Sequence, residues 1–196
     1  GLKNAGITYN EELKMVYDRW CENPDNEADH GYWGHWPFFH EEMPLEQAVV
    51  DSAKEKSDLA IVIIGRAAGE DRENKLEEGS YYLTKIERDM LQKVTSTFEK
   101  TVLIMDCGNV IDMSFVEEYK ISAIIYAWQL GQENANALGN VLSGKIKNYL
   151  TPKISMDFAT SGDINSTLNG DMNLTKQTLN LVFSAPQDNK IIIPMF

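Results

Sequence analysis

The segment best equipped for chemistry is Arg66-Ala67-Ala68-Gly69-Glu70-Asp71-Arg72, a pair of carboxylates set between two arginines. A carboxyl group in such a place serves as a general acid or base when burial or a like-charged neighbour raises its pKa. Asp71 would act on Glu70 in that sense, while Arg66 and Arg72 would act against it. The same composition also makes a solvated loop closed by its own ion pairs. A phosphate-binding reading fares worse. The Gly-x-Gly-x-x-Gly pattern is absent, no helix follows directly, and paired acids repel pyrophosphate.

A second segment, Asp29 to Pro44, holds His30, His35 and His40 among acids and a dense run of aromatics that includes Trp33 and Trp36. The five-residue spacing of the histidines fits neither a helix face nor a hairpin metal motif, so neither metal nor cofactor is expected. Aromatic rings on a loop suit an interface or a sugar-stacking platform, and Trp33 and Trp36 are the candidates for substrate contact or support. Plain apolar packing is the other reading. The link Gln129-Leu130-Gly131-Gln132-Glu133-Asn134 places an acid where a helix dipole favours it.

Charge narrows the partners. Asp and Glu number 30 against 18 Lys and Arg, for a net charge of -12, and the tail from residue 151, with three Lys and four Asp, contributes only one unit of that net charge. No basic cluster exists, so neither nucleic acid nor an anionic membrane surface is an expected partner. No apolar run approaches the ~18–20 residues of a membrane helix, and the opening lacks the basic-then-apolar pattern of a signal peptide. A cytoplasmic protein is the expectation, with Cys21 and Cys107 as reduced thiols. Gly1 in place of Met reads as a tag scar or as a cut from something longer.

The elements that would hold these residues alternate in type. Glu46–Lys56 is amphipathic, with Pro44 suited to open the helix. Leu59–Ile64 is a short apolar run of the kind buried on both faces of a parallel sheet. Thr84–Phe98 repeats apolar residues at three- and four-residue intervals, and Thr84 with Glu87 forms a capping box. Thr101–Met105 and Ser122–Ala127 are further buried strands. Ser114–Tyr119 is a short helix between them, with Ser114 as its cap, and Glu133–Leu150 is a longer one. The fold class is therefore α/β, a mostly parallel sheet sandwiched between helices. Residues 1–44 form an N-terminal helix and aromatic arm, 45–150 the α/β sandwich, and 151–196 a β-rich tail. The tail is expected to hold strands at Gln177–Phe183 and Lys190–Phe196, joined as a hairpin, and another at Ile154–Phe158. Ligands of such sheets sit outside the carboxyl ends of the strands. That rule points to Gly65–Arg72, Asp106–Asn109 and Gln129–Glu133.

Several of these pieces, in this order, resemble the C-terminal α/β-sandwich domain of the family 3 glycoside hydrolases, the β-glucosidase family. They are Ser57 to Arg66, Gly69 to Arg72, Glu78 to Thr84, Cys107 to Met113 and Trp128 to Glu133. Leu2–Trp20, Trp36-Pro37 and Glu41–Leu45 are similar to a clostridial-type branch. The resemblance covers residues 2–145.

It implies retaining hydrolysis of a β-glucoside or oligosaccharide by two carboxyl groups, one attacking the anomeric carbon and one protonating the leaving oxygen. The nucleophile would lie on a separate (β/α)8-barrel partner domain. Glu70 matches the family's acid/base residue, with Arg66, Asp71 and Arg72 around it. Many members carry two more residues between that Glu and the Asp-Arg pair. Here Leu130 stands for a usual Gly, Asn134-Ala135 for Gly-Gly, and Ile146–Leu150 for Asn-Pro-Ser-Gly-Lys-Leu. The tail beyond shows no resemblance. An isolated chain of this kind is expected to be inactive. The alternatives are a non-catalytic carbohydrate-binding or docking module and a degenerate remnant.

Overall fold

The computed structural model describes residues 1–26, 31–32, 35–69, 73–129, 132–145 and 190–192. Its centre is a sheet of four parallel strands in the order β1 (Ala60–Arg66), β2 (Thr101–Cys107), β3 (Ala123–Tyr126) and β4 (Lys190–Ile192). The first three are the Ile/Val-rich runs read from the sequence, and β1 and β2 each run two residues further than their apolar cores. Ala60 pairs with Thr101 and Arg66 with Cys107, so β1 and β2 end level with each other.

Alternation along the strands sorts their side chains onto two faces. Val62 and Ile64 of β1, Leu103, Met105 and Cys107 of β2, and Ile124 and Tyr126 of β3 share one core. Helices α3 (Gln47–Glu55) and α4 (Lys85–Thr97) close it with Val50, Ala53, Met90, Leu91 and Val94. Helix α2 (Glu11–Cys21) adds Leu13, Val16, Tyr17 and Trp20, one stripe at helical spacing, to its margin. Ile104, Ile125 and Ala127 face the other way and pack against Val141, Leu138 and Leu142 of α5 (Asn134–Leu142). The short α1 (Leu2–Ala5) lies against α5. Helices on both faces of a parallel sheet are what the alternating pattern predicts.

Local chemistry sets the helix ends. Glu87 N–H donates to Thr84 Oγ1 at 3.1 Å and Thr84 N–H to Glu87 Oε2 at 2.7 Å, so the capping box of α4 is complete.

Two sequence expectations are corrected. The segment after β2 forms a 3₁₀ turn, Ser114–Glu117, whose cap position is Met113; the Ser114 hydroxyl instead hydrogen-bonds Asp112 at 2.6 Å. Helix α5 stops at Leu142, short of Leu150. Gly144 adopts φ +70°, its N–H bonds the Val141 carbonyl, and the Lys145 N–H bonds the Asn140 carbonyl. That pair of bonds is a Schellman ending, which satisfies the last carbonyls and turns the chain away.

In the tail, Lys190–Ile192 pairs in parallel with β3. The expected hairpin and the strands at Gln177–Phe183 and Ile154–Phe158 lie outside the described residues. Cys21 and Cys107 are both free thiols, and burial pushes the Cys107 thiol up to about 12. No helix among the described residues is long and apolar enough to cross a membrane.

Candidate functional site

Arg66 is the last residue of β1, and alternation turns its side chain toward α4. It is 3% exposed. Its Nη1 and Nη2 donate to the two carboxylate oxygens of Glu87 at 2.7 and 2.6 Å, and Nη1 also donates to the Gly65 carbonyl. A bidentate pair buried on both sides fixes the guanidinium plane and spends its charge on one partner. Glu87 thus does two jobs, capping α4 and anchoring the end of β1. The sequence showed the first through the Thr84 spacing but gave no sign of the second.

The aromatic arm crosses above this anchor. Ala67 N–H donates to the Phe38 carbonyl at 2.6 Å. The Phe39 ring stands 5.5 Å from the Arg66 guanidinium, a cation–π distance. Phe39 also presses on Gly79, whose φ is +79° and where any Cβ would overlap the ring. Trp36 is half-buried, and its indole covers Gly69 so closely that a Cβ there would run into the ring. Met43 and Leu45, both buried, tie the end of the arm into the main core. Among the described residues of the arm, Tyr32 is 70% open and its ring lies 4.4 Å from that of His35.

Between the arm and the strand ends opens a cleft of about 600 Å³. Residues 37–40 and Glu42 form one wall, and Ile63, Gly65 and Arg66 of β1 form the floor. Asp106 of β2 and, beyond β3, Gln129 and Asn134 close the far side. All three strand-end segments singled out by the parallel-sheet rule therefore meet at one opening.

Trp128 shapes the last of them. It is a non-glycine residue at φ 56°, with its ring 4.6 Å from that of Tyr126. A bulky residue in the left-handed region bends the chain sharply as it leaves β3, at a cost of about 1–3 kcal/mol.

Two carboxyls at the cleft are displaced upward in pKa. Burial raises Glu42, against hydrogen bonds from the Met43 N–H and the Tyr17 hydroxyl, which pull the other way. Burial also raises Asp106, opposed by a hydrogen bond from the Asn134 side chain. Neither residue was among the site candidates read from the sequence. Asp106 carried a signal all the same, since it sits at the carboxyl end of a buried strand. Among the described residues no cluster of His, Cys, Asp and Glu is arranged to hold a metal ion.

Of the candidates from the sequence, the structure places Arg66 in the anchor and Trp36 against Gly69. Glu70, Asp71, Arg72 and Trp33 lie outside the described residues. What is described is the frame that leads into Glu70: the β1 anchor, the arm above it, and Gly69 under the Trp36 ring.

Comparison with known proteins bears on what such a frame is for. The sequence profile of the Glycosyl hydrolase family 3 C-terminal domain matches residues 8–184. The match passes well beyond residue 145, where the sequence resemblance was read to stop.

The chain is 42% identical over 148 residues to a beta-glucosidase of Ruminococcus albus, covering 74% of this chain and 15% of that one. It is 30% identical over 142 residues to Beta-glucosidase A of Butyrivibrio fibrisolvens, covering 61% of this chain and 17% of that one. A solved beta-glucosidase from Paenibacillus barengoltzii superposes with a TM-score of 0.67 at 40% identity, over 71% of this chain and 16% of the other. The chain thus spans about one sixth of the length of these relatives.

Proposed function

The chain belongs to the glycosyl hydrolase family 3 C-terminal domains, and from that premise we propose that it supplies the acid/base half of a retaining β-glucosidase site. Glu70 is the acid/base carboxyl. The nucleophilic carboxylate comes from a (β/α)8-barrel domain docked over the cleft. In the first step the nucleophile bonds the anomeric carbon, the glycosidic C–O bond breaks, and Glu70 gives its proton to the leaving oxygen. In the second, water attacks the glycosyl-enzyme while the Glu70 carboxylate takes the water's proton, returning both carboxyls to their starting states.

The observation that supports this reading is the convergence of the three strand ends on one cleft, which the chain leaves at Arg66, four residues before Glu70 in the sequence. Pairing with Glu87 matters to the chemistry. An unpaired Arg66 beside Glu70 would stabilise its carboxylate and weaken it as an acid, whereas an Arg66 already neutralised by Glu87 does so far less. Arg72 and Asp71 are proposed to tune the same carboxyl, and Trp33 to contact the sugar.

The test is hydrolysis of an aryl β-glucoside by the chain alone, by the chain with a barrel domain from a related enzyme, and by the same mixture carrying Glu70→Gln. The expected result is no turnover by the chain alone and turnover in the mixture. The Gln variant should lose about 10²–10⁴-fold, the range of general acid–base catalysis. Robust turnover by the isolated chain, or an undiminished Glu70→Gln mixture, overturns the proposal. Binding of glucosides by the isolated chain, lost on Trp33→Ala and kept on Glu70→Gln, would instead favour a non-catalytic carbohydrate module.

A further inference from the structure

We propose that Trp36 is a positioning residue for the acid/base carboxyl, acting through the backbone of Gly69 and not through contact with the sugar. This inference rests on the reading of Glu70 given above. Three residues, Ala67, Ala68 and Gly69, separate the Arg66 anchor from position 70, and the arm grips this short span at both ends. At its start the Phe38 carbonyl accepts the Ala67 N–H at 2.6 Å, while Arg66 itself is locked by Glu87. At its end the Trp36 indole lies on the Gly69 backbone at a distance only a glycine permits. Pro37 joins the two grips and limits the arm's own freedom. The arm is in turn held by Phe39 against Gly79 and by buried Met43 and Leu45.

A ring pressed on the peptide immediately before a reactive side chain restricts where that side chain can begin. A proton donor must meet the leaving oxygen within hydrogen-bond reach, and a displacement of about 1 Å is enough to lose ~10²-fold in rate. Residues that hold a catalytic group by packing carry this part of the work. The same packing leaves much of the Trp36 ring surface occupied by protein and unavailable for stacking on a sugar.

Leaving groups distinguish the two roles. Proton donation matters for a poor leaving group such as an alkoxide and hardly at all for dinitrophenolate, which departs unprotonated. In the chain docked on a barrel domain, Trp36→Ala should lower kcat/KM for an alkyl β-glucoside by about 10–100-fold and that for a dinitrophenyl β-glucoside by less than about 3-fold. Trp36→Phe, which keeps a ring over Gly69, should recover most of the loss. Glu70→Gln, run beside them, should show the same leaving-group dependence.

If Glu70→Gln affects both substrates alike, the acid/base reading fails and this inference with it. If Glu70→Gln discriminates and Trp36→Ala lowers both substrates equally, this inference alone is overturned. Hydrogen exchange on the isolated chain provides a readout independent of turnover. Trp36→Ala should speed exchange at residues 67–69 while β2 and β3 stay protected, showing that the domain remains folded. Unchanged exchange at 67–69 overturns the proposal.

Discussion

Arg66 and Glu87 illustrate how a buried ion pair acts mainly by what its loss would leave behind. Replacing a well-made pair with apolar residues is often neutral, whereas removing one partner strands the other charge at a cost of about 3–5 kcal/mol. Arg66→Met should therefore destabilise the domain by an amount in that range, read by urea denaturation. Arg66→Met with Glu87→Met should recover most of it, less about 1 kcal/mol for the lost cap of α4. An equal loss in single and double variants would show that the pair contributes through packing alone.

Glu42 gives a prediction in pH. Burial raises its carboxyl above the ordinary range. A carboxyl so raised favours the folded state while protonated; that contribution is whole below the ordinary carboxylate pKa and is lost as pH climbs through the raised value. Glu42→Gln keeps an amide oxygen for the Met43 N–H and removes the titration. Its Tm should exceed that of the parent chain by a few degrees at pH 7, and the difference should close by pH 4. A constant difference across that range would put the effect elsewhere.

Elements were legible where their signal is local. The capping box of α4 is written in Thr84 and Glu87, three residues apart, and β1 and β2 in unbroken apolar runs, so each could be placed to within a few residues. The end of α5 was missed because the apolar spacing continues to Ile146, while Gly144 alone carries the stop. The site was harder. Arg66 was singled out as a charge near Glu70, yet its partner lies 21 residues away on α4, brought there only by the crossover from β1. Trp36 was singled out as an aromatic candidate for substrate contact or support. That its ring belongs on Gly69 follows from how the arm is laid across the strand ends, and sequence spacing does not encode that.

At the scale of the molecule the described strands are unevenly paired. Strands β2 and β3 are paired on both sides, whereas no described strand pairs with the outer flank of β1. Ile63 there is 53% exposed, and the strand reads Ala-Ile-Val-Ile-Ile-Gly-Arg, with no proline and no charge before its last residue. Where nothing covers such an edge, a strand of this sequence recruits a second one. Ile63→Lys should lower concentration-dependent light scattering of the isolated chain with little change in Tm, and unaltered scattering would clear β1 of blame. If β1 is the cause, yield during expression and refolding will be limited by aggregation before it is limited by stability. Because Ile63 also floors the cleft, any assay of binding or turnover should then keep the native strand and be run on dilute chain.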